Sequence, residues 1–342
     1  MSPDKRNLDE TDIQEVVDIG MTGKANVVLD ATILSTLMAC PRLADFKFNH
    51  NLYSISGKSN SLEIGSIVHT FLEYYHKSLI KGVKREQAIQ FGFSAAEMYI
   101  RGCHLCTDFT PYTDSDGNIV AKPQCGHKPN EFPGVKNTPR DSEGYRIGWQ
   151  YALDTCDQYI QFYRNDHWVP LEAEVVKGKV LYEDSEVRIL WKAKLDLVAD
   201  TNQGIYPIDH KTMRQRRDTV ILNNQFIGQC LVMDTRRMFI NKIGFQTTLK
   251  PEEKFTREVC GYTASQLLEW QGETLPFYAK LLLMYAEGGH YPPNFSSCDG
   301  KYGKCAFYDV CKVDQNMREE ELKNNFKVGP EWNPTNDLSE SE

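Results

Sequence analysis

Residues 187–212 read VRILWKAKLDLVADTNQGIYPIDHKT, and this stretch predicts two β-strands joined by a turn. From Val187 to Leu197 every second residue is apolar, a period of two that is typical of a strand with one buried face. The polar triplet at 202–204 predicts the turn, and residues 204–211 supply the next strand. The stretch therefore predicts the centre of a β-sheet.

Three charged side chains in this stretch are candidates for chemistry. Alternation places Asp196 on the polar face of the first strand, and it places Asp209 and Lys211 on one face of the second, about 7 Å apart. If the strands are neighbours, two carboxylates and an ammonium converge. Carboxylates hold Mg²⁺ or Mn²⁺, while a lysine orients a water molecule or offsets developing charge. The alternative interpretation is a solvated polar sheet face.

Periodicity around this stretch predicts an α/β fold in which helices flank a central group of strands, with no internal repeat. Helices are predicted over residues 30–46, 62–79, 84–101, 143–165, 217–233 and 264–287. Strands are predicted over residues 171–182, 186–199, 204–211, 237–247 and 255–262.

The polar segments predict the domain organisation. Residues 1–26 are acidic with little periodicity and predict a disordered arm, and residues 317–342 predict an acidic disordered tail. Residues 27–316 then form one domain. Residues 102–141 interrupt it with an insertion rich in Pro, Gly, Asp and Thr, and an insertion of that length needs something to pin it.

Composition excludes several classes of protein. The 342 residues are 41% hydrophobic and 25% charged, which excludes collagen, coiled coil and wholesale disorder. No apolar run approaches the eighteen or so residues that a membrane-spanning helix needs, and no secretory signal follows the charged N-terminus. We therefore expect a soluble protein of a reducing, cytoplasmic compartment, without a membrane partner.

The net charge of −8 is unevenly distributed. Residues 1–18 sum to −4 and residues 314–342 to −5, which leaves +1 for residues 19–313. A nearly neutral body can carry a local basic groove, although it does not resemble a protein that binds duplex DNA mainly by bulk charge. Composition is therefore silent on nucleic acid.

A second motif lies on the predicted helix 62–79. It reads Gly65-Ser66-Ile67-Val68-His69, and Glu73 follows one turn later. His69 and Glu73 are four residues apart and share one face of the helix. A neutral imidazole can complete the coordination of a metal, although a histidine on an amphipathic helix is more often structural.

These motifs resemble the PD-(D/E)XK nuclease superfamily, and specifically its RecB-like branch. The resemblance covers residues 30–312 outside the insertion, and it implies a restriction-endonuclease-like core with a mixed central sheet flanked by helices and a helical N-terminal part. It implies that His69, Asp196 and Asp209 bind Mg²⁺ or Mn²⁺ and that Lys211 acts in catalysis.

Two further matches carry the same resemblance. Asn224-Gln225-Phe226-Ile227-Gly228 resembles the glutamine motif of the branch and implies that Gln225 positions substrate or water. Gln229 is the alternative, since both glutamines lie on one helix face. Glu174 resembles the acidic residue that often precedes the metal-binding aspartate.

Four cysteines near the two ends of the domain form a further candidate site. Cys298, Cys305 and Cys311 lie close together, and Cys40 precedes Pro41 far upstream. They resemble the iron–sulfur staple of CRISPR-adaptation nucleases and AddB-type helicase–nucleases, which implies a [4Fe–4S] cluster that ties the C-terminus to the N-terminal part. The spacing between Cys298 and Cys305 is wider than the usual C-x-x-C, and Zn²⁺ would accept the same sulfurs.

The insertion contains another group of potential ligands. Cys103, Cys106, Cys125 and His127 resemble a zinc knuckle, with an unusually short spacing between the last two. A Zn²⁺ ion would order a segment that has no hydrophobic core of its own. The alternative is a flexible insertion with free thiols.

The resemblance implies a metal-dependent DNA exonuclease that acts on single-stranded ends. Its implied setting is recombination, repair or CRISPR adaptation in a prokaryote or phage-infected cell, with a protein partner from that process. The alternative is a non-catalytic DNA-binding or assembly subunit with the same fold, although binding alone does not require this set of residues. A sequence-specific endonuclease would need a recognition module, for which only the insertion is available.

Overall fold

A computed structural model describes ten stretches of the chain. They are residues 17–19, 24–55, 60–100, 112–113, 119–120, 143–213, 220–246, 249–300, 303–329 and 331–332. Within these stretches the chain has an α/β fold, in which helices flank a mixed central sheet, as the sequence predicted.

Strands and helices are numbered in chain order. The strands are β1 (Val17–Ile19), β2 (Ala25–Leu29), β3 (Leu52–Ser54), β4 (Tyr112–Thr113), β5 (Ile119–Val120), β6 (Val169–Glu183), β7 (Val187–Asp200), β8 (Ile205–Met213), β9 (Arg237–Gly244), β10 (Phe255–Gly261), β11 (Asp299–Gly300), β12 (Gly303–Lys304) and β13 (Phe326–Val328). The helices are α1 (Ala31–Ala39), α2 (Pro41–Ala44), α3 (Asn60–Ile80), α4 (Arg85–Ile100), α5 (Glu143–Phe162), α6 (Asn224–Val232), α7 (Pro251–Lys254), α8 (Ala264–Glu269), α9 (Leu275–Gly288), α10 (Tyr308–Lys312) and α11 (Arg318–Asn325).

The central sheet is mixed and has seven strands. Its order is β1-β2-β7-β8-β9-β10, and β6 pairs with β7 outside this path. The β2–β7 and β8–β9 pairs are parallel and the others are antiparallel. The turn between β6 and β7 lies between the strands predicted over 171–182 and 186–199. It is stabilised by the Asp184 carboxylate, which accepts hydrogen bonds from the backbone of Glu186 and Val187 at 2.8 Å.

Two hydrophobic clusters hold helices against the sheet. One joins α3, α4 and α5 around side chains such as Phe71 and Tyr159. The other joins α1, α6 and α9 to the sheet around Trp191. Helix α6 approaches β7 closely at Gly228, where an added Cβ would lie 2.2 Å from the Trp191 indole nitrogen. Only glycine permits that approach, which sets the depth of α6 over the sheet.

Some predicted boundaries differ from the structure. In the helix predicted over 30–46, the interruption expected at Pro41 is present, since α1 ends at Ala39 and α2 begins at Pro41. The helix predicted from residue 217 begins at 224, because the Asn223 side chain accepts a hydrogen bond from the Gln225 N–H and caps it.

Parts of both predicted disordered segments are folded. Strand β1 lies inside the predicted arm and pairs with β2. At the other end, α11 and β13 lie inside the predicted tail, and β13 pairs with β3. The Trp332 indole then donates a hydrogen bond of 2.9 Å to Asp30, the residue that caps α1. The described elements at the C-terminal end thus contact residues far upstream in the chain, although the local composition is acidic.

In the part of the chain that the structure describes, no helix combines the length and the apolarity that a bilayer crossing requires.

Candidate active site

Strands β7 and β8 separate at the point where the candidate carboxylates lie. Their antiparallel pairing ends at Leu197 and Ile208, so Asp196 and Asp209 are the first residues beyond it. The backbone N–H of His210 donates instead to Asp196 Oδ2 at 2.7 Å. The side chain of Asp196 thus takes the position of a ladder partner where the two strands open.

Three side chains from different elements meet at this opening. His69 of α3, Glu174 of β6 and Asp196 of β7 place one ligand atom each within 4.8 Å of one another. His69 Nδ1 lies 3.8 Å from Asp196 Oδ2. An imidazole and two carboxylates at this spacing form a donor set that suits a divalent cation.

Glu174 occupies an unusual position in the backbone. It lies in β6 between the residues that pair with Leu197 and Leu195, which places it beside Asp196. Its φ angle is +52°, whereas the other non-glycine residues with positive φ in the described stretches are Asn or Asp. A left-handed glutamate inside a strand is costly, and such outliers cluster at functional sites.

Asp209, Lys211 and Gln225 form a second group beside the first. Asp209 is completely buried, and its Oδ2 lies 2.8 Å from Lys211 Nζ. The Gln225 amide donates to Asp209 Oδ1 at 2.7 Å, and its carbonyl accepts from Lys211 at 3.1 Å. Each member contacts both others, so the glutamine of α6 fixes the relative position of the carboxylate and the ammonium.

Other candidates from the sequence have different surroundings. Glu73 forms an ion pair with Lys77 on α3. Gln229 is buried and donates to the Lys194 carbonyl at 3.1 Å, so it braces β7 rather than contacting Asp209 or Lys211. Lys194, to which the sequence assigned no role, lies 2.8 Å from Glu174.

Electrostatic interactions connect the two groups. Burial raises the pKa of Asp209 to about 6, with Lys211 opposing the shift and Asp196 adding to it. Burial and then Asp196 raise the pKa of Glu174 to about 8, against the effect of Lys194. Burial lowers the pKa of Lys211, but Asp209 and Asp196 outweigh it and raise the value. Carboxylates that repel one another in this way are compensated by a bound cation.

The four predicted cluster cysteines also come together. Burial raises the pKa of the Cys305 thiol, and the nearby sulfurs of Cys298, Cys311 and Cys40 add to the shift. The backbone N–H of Asn294 donates to Cys40 Sγ at 3.3 Å. The structure therefore joins the start of the domain to its C-terminal segment at these thiols.

The spacing of these sulfurs bears on the metal. Among the residues that the structure describes, no three cysteine sulfurs lie within 4.8 Å of one another. A tetrahedral zinc ion with Zn–S bonds of 2.3 Å would hold its sulfurs about 3.8 Å apart. The four thiols of the described residues are therefore not arranged around a single zinc ion as they stand.

The predicted zinc ligands Cys103, Cys106, Cys125 and His127 lie outside the described residues. Zinc in the insertion stays a prediction from the sequence.

No protein-family model and no curated protein matches this chain. Among solved structures, it is similar to a candidate exonuclease from Eubacterium rectale, with a TM-score of 0.39 and 12% identity over 85% of this chain and 91% of that protein. It is also similar to a protein named SSO0001, with a TM-score of 0.26 and 10% identity over 39% of this chain and 60% of that one. Because both likenesses are remote, a functional argument depends on the geometry of the site.

Proposed function

We propose that this protein is a metal-dependent DNA exonuclease of the PD-(D/E)XK type that hydrolyses phosphodiester bonds at single-stranded ends. The observation that carries the proposal is the meeting of His69, Glu174 and Asp196 at the opening between β7 and β8, next to Asp209 and Lys211. A site for binding alone would not need a lysine paired with a buried carboxylate beside a divalent-cation donor set.

The donor set fits Mg²⁺ or Mn²⁺. His69, Glu174 and Asp196 would hold the ion, and the buried Asp209 interacts electrostatically with Asp196 beside this set. When bound, such an ion polarises a phosphoryl oxygen and makes a water molecule more acidic. Burial and the neighbouring Asp196 raise the pKa values of Asp209 and Glu174, so a bound cation would stabilise their ionised forms.

Lys211 supplies positive charge at the site. An ammonium has three donors, and the described contacts of Lys211 use two of them, to Asp209 and Gln225. The side chain is 39% exposed, so its remaining donor is available to a substrate phosphate or to the attacking water. There it offsets the charge that develops on the phosphoryl oxygens in the transition state.

A [4Fe–4S] cluster bound by Cys40, Cys298, Cys305 and Cys311 completes the proposal. The resemblance of the four-cysteine motif supports iron–sulfur at this site, since four thiolates are the ligand set that such a cluster needs. The cluster has a structural role here, since it connects α1 and α2 to the segment around α10. The resemblance of the motifs supports a setting in prokaryotic or phage recombination, repair or CRISPR adaptation, with a protein partner from that process.

The test uses end-labelled single- and double-stranded DNA together with circular single-stranded DNA. We expect the labelled single strand to be degraded with Mg²⁺ or Mn²⁺ and not with chelator, while the circle, which has no ends, stays intact. Lys211→Ala should abolish cleavage, and Lys323→Ala on the exposed helix α11 should cleave at the wild-type rate.

Two outcomes contradict the proposal. A wild-type protein that degrades no nucleic acid with either metal is not a nuclease of this type, and the non-catalytic alternative then stands. A Lys211→Ala variant that cleaves as fast as wild type removes the assigned role of the lysine. Cleavage of the circle would indicate an endonuclease instead.

A further inference from the structure

A row of three polar residues crosses the sheet on one face. His210 of β8 is in register with Asn241 of β9, and Asn241 is in register with Arg257 of β10. Residues in register point to the same side of a sheet, so the three side chains form a continuous row from the candidate site to the edge strand. His210 and Asn241 are 2% and 0% exposed.

Direct contacts join the members of this row. The Asn241 amide nitrogen lies 2.9 Å from His210 Nδ1 and 2.8 Å from the hydroxyl of Tyr159 on α5. That hydroxyl lies 3.5 Å from Arg257 Nη2. Arg257 in turn binds both carboxylate oxygens of Asp166, at 2.5 and 2.8 Å. We call these five residues the polar row.

The outer end of the polar row is held tightly. The Arg257 guanidinium lies 3.5 Å from the centre of the Trp168 ring and 3.8 Å from that of Tyr163. Its bidentate ion pair with Asp166 fixes its orientation as well. At the inner end, the His76 ring of α3 stacks on His210 with centroids 5.5 Å apart and an angle of 15°. Neither end of the row is therefore free to move.

Stability alone does not account for a polar row at this place. On the same face, the neighbouring rows contain Ile208 and Phe239 on one side and Ile243 and Phe255 on the other. Within the polar row, His210 Nε2, Asn241 Oδ1 and Arg257 Nε are buried without a hydrogen-bond partner in the described residues. Each such atom lowers stability relative to an apolar side chain of similar size.

The polar row ends at the backbone that holds Asp196. The N–H of His210 donates to Asp196 Oδ2, the oxygen that also faces His69. The position of the His210 peptide group therefore sets the orientation of the Asp196 carboxylate. The His210 side chain fixes that peptide group, and Asn241 fixes the side chain.

We propose that Asn241, supported by Tyr159 and Arg257, is a positioning residue that orients Asp196 for metal binding through His210. The proposal rests on the metal site of the proposed function. Groups that orient a metal ligand in this way typically contribute tenfold to hundredfold in metal affinity, without touching the ion themselves.

The test is a Mn²⁺ titration followed by electron paramagnetic resonance, which measures binding independently of cleavage. Asn241→Leu replaces the amide by an apolar group of similar size, and we expect its Mn²⁺ Kd to rise about tenfold. Ile243→Val, two residues along β9, trims a methylene from the adjacent apolar row and leaves the contacts of Asn241 intact. The Mn²⁺ Kd of this variant should stay within about twofold of wild type, since Ile243 is not part of the polar row.

The outcomes separate this inference from the proposed function. If wild type binds Mn²⁺ and folded Asn241→Leu binds it equally well, the positioning role is wrong while the metal site stands. If wild type binds no Mn²⁺, both fall. If Asn241→Leu does not fold, Tyr159→Phe decides, because it removes only a hydroxyl: a Kd about threefold higher supports the role, and an unchanged Kd overturns it.

Discussion

In the proposed function, the carboxylate site and the four-cysteine site bind different kinds of ligand, and they stand on different kinds of support. The carboxylate site lies on the central sheet, where the pairing of β7 with β8 ends and β7 continues against β6, and it is flanked by helices α3 and α6. The cysteine site lies among short elements, with a small cluster of Phe307, Val310 and Phe326 as its buried core.

This difference separates chemistry from stability. The sheet is held by two large hydrophobic clusters, so a change in the carboxylate site should alter reaction rate and leave the fold in place. The elements around the cysteines have only a small buried core, so the proposed cluster would supply much of their stability. If the two sites are independent in this way, a change at one site alters either reaction rate or stability and not both.

The largest effect is expected from Cys311→Ser, at the cysteine site. Loss of the cluster removes the link that closes a loop of more than two hundred residues between Cys40 and Cys298. The entropy of closing such a loop contributes up to about 5 kcal/mol to the free energy of unfolding. Denaturant unfolding with iron analysis measures it, and Lys312→Ser on the same helix is the control. Unchanged stability together with unchanged iron content would remove the structural role of the cluster.

The next effect is expected from Asp196→Asn, at the carboxylate site. The substitution keeps the shape of the side chain and removes the charge that the metal requires, so the activation barrier should rise by about 3 kcal/mol, a hundredfold or more in rate. The free energy of unfolding and the iron content should match wild type. A variant that loses iron or unfolds early would show that the two sites are not independent.

A smaller effect is expected from Gln225→Ala. The glutamine holds Asp209 and Lys211 at a fixed distance without being a ligand in the proposed set, so cleavage should slow by about tenfold. Single-turnover kinetics measures the change, with Gln266→Ala in the exposed cap of α8 as the control. A loss as large as that of Lys211→Ala would instead place Gln225 among the reacting groups.

The smallest effect concerns pH. The pKa of Glu174 is raised to about 8, so the fold favours the protonated carboxyl, and its contribution to the stability of the metal-free protein is lost as the pH rises through 8. Metal binding requires the deprotonated form, so Mn²⁺ affinity should rise about fivefold between pH 7 and pH 8. Calorimetry in two buffers detects the released protons. An affinity that does not change with pH would contradict the shift.

Much of the carboxylate site could be predicted from local pattern. A period of two places Asp196, Asp209 and Lys211 on two strands, and the helix predicted over 217–233 includes Gln225. These features depend on residues close together in the chain. Glu174 was harder to assign, because its place beside Asp196 depends on the register of β6 and on a backbone angle that no sequence pattern reports.

The C-terminal segment shows what cannot be predicted from local composition. Its acidic composition predicted disorder, yet Phe326 is buried against Phe307, with rings 4.2 Å apart, and Trp332 reaches the cap of α1. Trp332 bonds to Asp30, which lies 302 positions away in the chain, and the strand that carries Phe326 pairs with the distant β3. Composition is averaged over a window and cannot register contacts of that range.

The geometry of the carboxylate site depends on Gly228, which is not itself part of the site. Helix α6 rests on the Trp191 indole through a bare backbone, and Gln225 lies just under one turn earlier on the same helix. A single methyl group at position 228 would act as a spacer, lifting the helix and drawing the Gln225 amide away from both of its partners. The separation of the Asp209 carboxylate from the Lys211 ammonium therefore depends on the absence of a side chain at position 228.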